Sequence, residues 1–189
     1  MTKNEFLHRF QLSSLADSLH QYRHKAPLKP AAVLIALIEE NQQLSVVFTK
    51  RAAHLKHHPG QISFPGGKVE DFDESFIAAA IREAEEEIGL NSHEIKVIGQ
   101  LNPYETISGY VVTPIIAFIS KQQDYVIDEN EVDEIFQVPL QYFLNFDNHY
   151  AVKIERQHQP FSIHFMPFDH HNIWGATAVM LKDLVAHIN

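Results

Sequence analysis

Residues 66–90 read GGKVEDFDESFIAAAIREAEEEIGL, and this stretch decides how the chain folds. A glycine pair is followed by acidic residues, then by a run with helical spacing, then by Gly89. The spacing predicts a helix over Asp73–Gly89, with Asp and Ser at its start and Gly as its stop. Set Glu83 as origin and turn about 100° per residue. Ile77, Ile81, Ala84 and Ile88 then share one narrow arc, which should face a core. Glu83, Glu86 and Glu87 fall on the opposite side within about 100° of one another. Glu85 points elsewhere.

Carboxylates at i, i+3 and i+4 repel, by about a few tenths of a kcal/mol per pair on an exposed helix. A hard divalent cation removes the repulsion and uses the oxygens. Mg²⁺ or Mn²⁺ suits such a donor set. Arg82 adjoins the cluster and is placed to orient one carboxylate through its fork. Taken by itself, a run of three glutamates is more often a solvated face. The Gly-Gly loop ahead and the glycine behind argue for a built site.

The same residues carry a resemblance. From Glu74 through Leu90 the chain matches the Nudix box: Glu74, seven residues, Arg82-Glu83, Ala84 at the aliphatic place, Glu86-Glu87, Gly89 and Leu90. It departs at the start, where six residues rather than five separate Gly67 from Glu74. The loop is therefore one residue longer, and the role of Glu74 is the one affected. A second resemblance, over roughly residues 30–188, is to coenzyme A pyrophosphatases within the family. It is carried by Phe48-Thr49-Lys50-Arg51, by Leu55 through Lys68 (LKHHPGQISFPGGK), and by Thr106–Gly109 with Val112-Thr113-Pro114. Glu131–Leu140 and Ile173–Ala178 extend it.

The resemblance implies a Nudix fold, a mixed β-sheet between helices, and hydrolysis of the pyrophosphate of coenzyme A. The products would be 4′-phosphopantetheine and adenosine 3′,5′-bisphosphate. A cation there would neutralise the pyrophosphate and lower the pKa of a bound water. Glu83 and Glu87 are expected to ligate the principal metal, with Glu86 as second-metal ligand or water-orienting base. The catalytic candidates are Glu86, Arg82 and Glu131, the general base being open between Glu86 and Glu131. Arg51, His58, Gln61, Phe64, Gly66 and Gly67 are the substrate-binding candidates. Arg51 and His58 would meet phosphates, including the 3′-phosphate of coenzyme A. Lys50, Lys56 and His57 stand beside them. Two other readings compete: a Nudix hydrolase of another substrate such as ADP-ribose, and a silent Nudix domain that only binds ligand. Intact Glu83, Glu86 and Glu87 count against the second.

Working outward, residues 2–24 look helical, with Phe6, Phe10, Leu15 and Leu19 at helical spacing. Ala31–Ile38 and Leu44–Thr49 read as strands joined by a turn at Glu39–Gln43. Glu94–Leu101 and Tyr110–Ser120 read as further strands, Asp124–Glu134 as an acidic connection, and Pro139–Leu144 as a short helix. Tyr150–Glu155 and Phe161–Phe168 suggest a hairpin, and Ala176–Ile188 a closing helix. Few helices among many strands imply an α+β fold, an α/β/α sandwich. The expected organisation is an N-terminal helical extension, 1–26, and a Nudix domain, 27–189.

The chain has 189 residues, 15 Lys+Arg against 24 Asp+Glu, 13 His and no Cys. A net charge of −9 argues against a nucleic-acid partner or an anionic membrane surface. That charge is not diffuse. Residues 68–90 and 124–134 each carry −6, so the remainder is net positive, which suits a polyanion brought in on a cation. No thiolate site or Cys nucleophile is available. The N-terminal residues do not read as a signal peptide, no apolar run is long enough to span a membrane, and the expected setting is cytoplasmic. A homodimer is left open.

Overall fold

A computed structural model describes residues 1–13, 27–120, 125–156 and 159–189. Its frame is one mixed sheet. Strand β1 (Lys29–Glu40) pairs antiparallel with β2 (Gln43–Arg51) and parallel with β7 (Tyr110–Ile119). The β1–β2 loop is two residues, Asn41 and Gln42, both at positive φ (49° and 62°). That is the turn geometry whose twist matches the strands it joins. The short strands β3 (Ile62–Ser63) and β4 (Gly66–Lys68) pair with β2 and β1 respectively. β5 (Ile95–Gln100) and β6 (Tyr104–Glu105) pair with β7, and β8 (Val132–Pro139) pairs with β2.

β1 is a continuous apolar run because both of its faces are covered. Leu34, Ala36 and Ile38 face helix α2 (Phe76–Ile88), in a core with Ala79, Ala80, Ala84 and Ile115. Ile35 and Leu37 face the other side, where α1 (Lys3–Leu12), α3 (Leu140–Leu144) and α4 (Ala176–Ile188) pack. The α+β sandwich read from the sequence is the architecture found. A separate three-stranded sheet, β9 (Tyr150–Arg156), β10 (Gln159–Phe168) and β11 (His171–Trp174), contains the expected hairpin. Its inner residues Met166 and Ile173 join the α4 side of the core.

Four sequence readings change. The helix over 73–89 begins at Phe76, because Ser75 caps it by accepting from the Ala78 N–H at 3.1 Å. The acidic connection ends in a full strand, β8, whose inward residues the acidic neighbours had masked. β11 was not anticipated, and Trp174 is its last residue. α1 stops at Leu12, and the rest of the expected 2–24 helix, with Leu15 and Leu19, lies outside the described residues. Within α1, Phe6 and Phe10 are buried in the shared core. Arg9 donates to the Ile188 carbonyl, and His187 Nε2 pairs with the Phe10 carbonyl. Among the described residues no helix is long and apolar enough to cross a membrane.

Candidate active site

The site is built where α2 leans on β4. Small residues at Ala79, Ala80 and Ala84 bring the helix close to the sheet. The buried arc is consequently not the one set by Ile77 and Ile81. Ile77 is 38% exposed, and the arc turns toward Glu87, which is only 3% exposed. The sequence reading placed Glu87 on the outward side with Glu83 and Glu86. Instead it points at the sheet, where its Oε2 accepts the Gly66 N–H at 3.1 Å and Arg51 Nη1 lies 3.9 Å from its Oε1. Burial pushes its carboxyl up to about 8. The Gly66 N–H and Arg51 oppose that rise, and Glu83 and Glu131 add to it by repulsion.

Both glycines of the loop are required by this packing. Gly66 sits at φ +152°, and a Cβ there would meet the Ala32 carbonyl oxygen at 2.4 Å. A Cβ on Gly67 would meet the Glu83 carboxylate at 2.5 Å. Backbone and carboxylate thus approach as closely as an absent side chain allows. The two glycines were expected to bind substrate; here they abut the carboxylates of Glu83 and Glu87.

Arg82 is the clamp of the site. Its Nε and Nη2 form a fork on Asp73, at 3.0 and 2.9 Å, and Nη2 also reaches the Lys68 carbonyl at 3.1 Å. Nη1 donates to Glu83 at 2.8 Å and to Glu86 at 2.9 Å. Phe72 lies under the guanidinium, 5.4 Å from it. The bidentate partner foreseen for Arg82 is therefore Asp73, which the sequence reading had left at the helix start. Its carboxyl is held below the usual range, chiefly by the Arg82 hydrogen bonds. Glu74, the residue matched to the box, is exposed. The longer loop places Asp73, separated from Gly67 by five residues, where Arg82 can hold it. Counting from Gly67 rather than back from Arg82 would have found it.

Glu83 is half-buried, and burial raises its carboxyl despite Arg82. Glu86 is exposed. Glu131 is exposed and close enough to act electrostatically on both Glu83 and Glu87. Its backbone carbonyl accepts from Ala52, and Asp133 accepts from the Ala53 N–H, so this segment is tied to the loop after Arg51. That loop is closed by Arg51 and Gln61, which bond through their backbones. His58 sits on it, exposed, at φ 54°. Phe64 is different. It is 2% exposed and stacks on Phe48 at 5.2 Å, so it supports the loop from the core.

A buried carboxylate that resists ionisation, with like charges around it, fits a site made for a cation. The oxygens of Glu83, Glu86 and Glu87 are the donors that would hold it. Bound there, a divalent ion supplies charge neutralisation to a phosphoryl group and acidifies a water.

The sequence model of the NUDIX domain matches residues 28–157. The chain belongs to the Nudix family. It is 36% identical over 188 residues to a protein of Escherichia fergusonii called uncharacterized Nudix hydrolase NudL, spanning 100% of this chain and 95% of the relative. A protein of the same name from Enterobacter sp. (strain 638) matches equally, at 36% over the same shares. Solved structures agree on the fold. A Nudix hydrolase from M. smegmatis, RenU, has TM-score 0.52 at 22% identity, over 68% of this chain and 80% of that one. A C. elegans Ap4A hydrolase has TM-score 0.51 at 18% identity, over 59% and 80%. This Nudix chain is thus a hydrolase of pyrophosphate bonds in nucleoside diphosphate derivatives. Nudix enzymes generally use divalent metals.

Proposed function

We propose that this Nudix hydrolase cleaves the pyrophosphate of coenzyme A or its derivatives, with Mg²⁺ or Mn²⁺ on Glu83, Glu86 and Glu87. One observation carries the reading. The residues that resemble coenzyme A pyrophosphatases are those that wrap the buried carboxylate: β2 through Arg51, the loop bearing His58 and Gln61, and β4 with Gly66 and Gly67.

Among the described residues Arg51 meets Glu87 at 3.9 Å, and it is partly open to solvent. It is free to turn its fork to a phosphate once Glu87 engages a cation. His58 stands farther out on the same loop and suits a terminal phosphomonoester. Gln61 fixes the loop's base. Arg82 orients Glu83 and Glu86 and is itself held by Asp73. Glu86 and Glu131 are the two carboxylates exposed enough to accept a proton from an attacking water. A soluble cytoplasmic setting and a small-molecule partner go with this proposal, and a homodimer is not required by it.

The test is a substrate panel with Mg²⁺ or Mn²⁺: coenzyme A, acyl-coenzyme A, ADP-ribose and nucleoside diphosphate sugars, with products identified by mass. Adenosine 3′,5′-bisphosphate together with 4′-phosphopantetheine is the expected pair. Fast turnover of ADP-ribose without turnover of coenzyme A would overturn the substrate while leaving the family reaction intact.

A further inference from the structure

We propose that Glu134, His170 and His171 form a second cation site, separate from α2, that takes a borderline transition ion such as Zn²⁺. The three sit at one edge of the molecule. Glu134 is on β8, His171 opens β11, and His170 is in the two-residue turn between β10 and β11. Their ligand atoms lie within 4.8 Å of one another. Glu134 Oε1 is 3.0 Å from His171 Nε2 and 3.9 Å from His170 Nε2. Ligands at 2.0–2.2 Å from a tetrahedral ion stand roughly 3.4 Å apart. The two Glu134 distances thus need to change by about half an ångström or less, and the two imidazoles, no more than 4.8 Å apart, draw together on an ion.

Two of the three ligands are held in place from outside, His170 by a hydrogen bond and His171 by ring stacking. Asp169 Oδ2 lies 2.9 Å from His170 Nδ1. The hydrogen bond puts that ring's proton on Nδ1 and leaves the Nε2 lone pair facing Glu134, the carboxylate–histidine arrangement found behind metal ligands. The His171 ring lies flat on Phe136, 3.6 Å between centroids and 4° between planes, which fixes its orientation. Its Nδ1 is buried with no hydrogen-bond partner among the described residues, so Nε2 is the nitrogen that can reach an ion. On binding, the neutral ring switches tautomer: Nε2 gives up the proton it shares with Glu134 and Nδ1 takes one up, so the ring stays neutral and no net proton is lost. Glu134 Oε2 meets Lys50 Nζ at 3.7 Å, and Lys50 is exposed enough to swing away into water. Two imidazoles and one carboxylate select Zn²⁺ or Co²⁺ over Mg²⁺, which prefers oxygen donors. Three protein ligands also leave a coordination position open.

This site rests on none of the carboxylates proposed for catalysis, so the two readings fail separately. The full chain is titrated with Co²⁺ and with Zn²⁺ under excess Mg²⁺, following visible absorption and calorimetry. Imidazole ¹⁵N shifts of His170 and His171 are recorded alongside. The expected result is one equivalent bound, with both Nε2 resonances moving. Affinity should fall at least tenfold in the surface variant His170→Ala, by about tenfold in Asp169→Asn, and not at all in Glu87→Gln. Wild-type affinity in His170→Ala, or loss of the equivalent in Glu87→Gln, would overturn the site.

Discussion

Replacing Glu87 by Gln should stabilise the metal-free protein while abolishing its metal-dependent turnover. The carboxyl is raised from 4.5 to about 8 in the fold, so the folded state favours the neutral form. Stability from this group is fully present below pH 4.5 and is lost as pH climbs toward 8. At about 1.4 kcal/mol per unit, the wild type should lose about 3 kcal/mol between pH 5.5 and pH 8.5 through Glu87 alone. Gln is neutral throughout and keeps an oxygen for the Gly66 N–H. Other groups titrate alike in both proteins, so the difference isolates position 87. Urea unfolding in EDTA at the two pH values measures it. The variant's advantage should grow by about 3 kcal/mol, or roughly 6–12 °C in Tm for a chain of this length. Saturating Mg²⁺ should then restore the wild type and leave the variant unchanged, since an ion stabilises only the state that binds it. A gap that does not change with pH would refute the burial argument.

Asp73→Asn should release the Arg82 fork and lower kcat at least tenfold by freeing Glu83 and Glu86, whereas Glu74→Gln should be silent in steady-state kinetics. Gly67→Ala should displace the Glu83 carboxylate and cut turnover while Tm falls by only a few degrees. Gly66→Ala pushes on backbone rather than on a side chain, and circular dichroism melting should show it far less stable. In pH–rate profiles of Glu86→Gln and Glu131→Gln, loss of the acid-side limb marks the residue that accepts the proton from water.

The sheet frame was legible because β1, β2 and β7 are long apolar runs and the β1–β2 turn is short. β8 was not, because Asp133 and Glu134 stand among its first residues and read as a continuation of an acidic loop. Only pairing with β2 reveals that Val132 and Val138 point inward. β11 is four residues long and alternates His, Asn, Ile and Trp. Its burial is set by β10 and by α4, and no local pattern of that length distinguishes it from a turn. His170 and His171 were legible only as members of a scattered set of histidines. Their partner Glu134 is 36 and 37 positions away in sequence, and no spacing rule joins them.

The candidate site shows a sharper limit. Spacing identified Glu83, Glu86 and Glu87 as one cluster, and it correctly set Arg82 beside them. It set all three on the outward side, opposite an arc of Ile77, Ile81, Ala84 and Ile88, of which Ala84 and Ile88 are buried while Ile77 is exposed. Packing follows a different rule here. The face that approaches the sheet most closely is the one with alanines, because β1 and the Gly66-Gly67 loop leave no room for larger side chains. Glu87 shares that face and is buried with it. Its burial makes an unscreened carboxylate costly, which is why a glycine N–H and an arginine stand against it. The same burial explains why a cation would be held there strongly. The chain thus keeps an acidic group where folding alone would disfavour its charge, and the stability lost at neutral pH is what a bound cation returns.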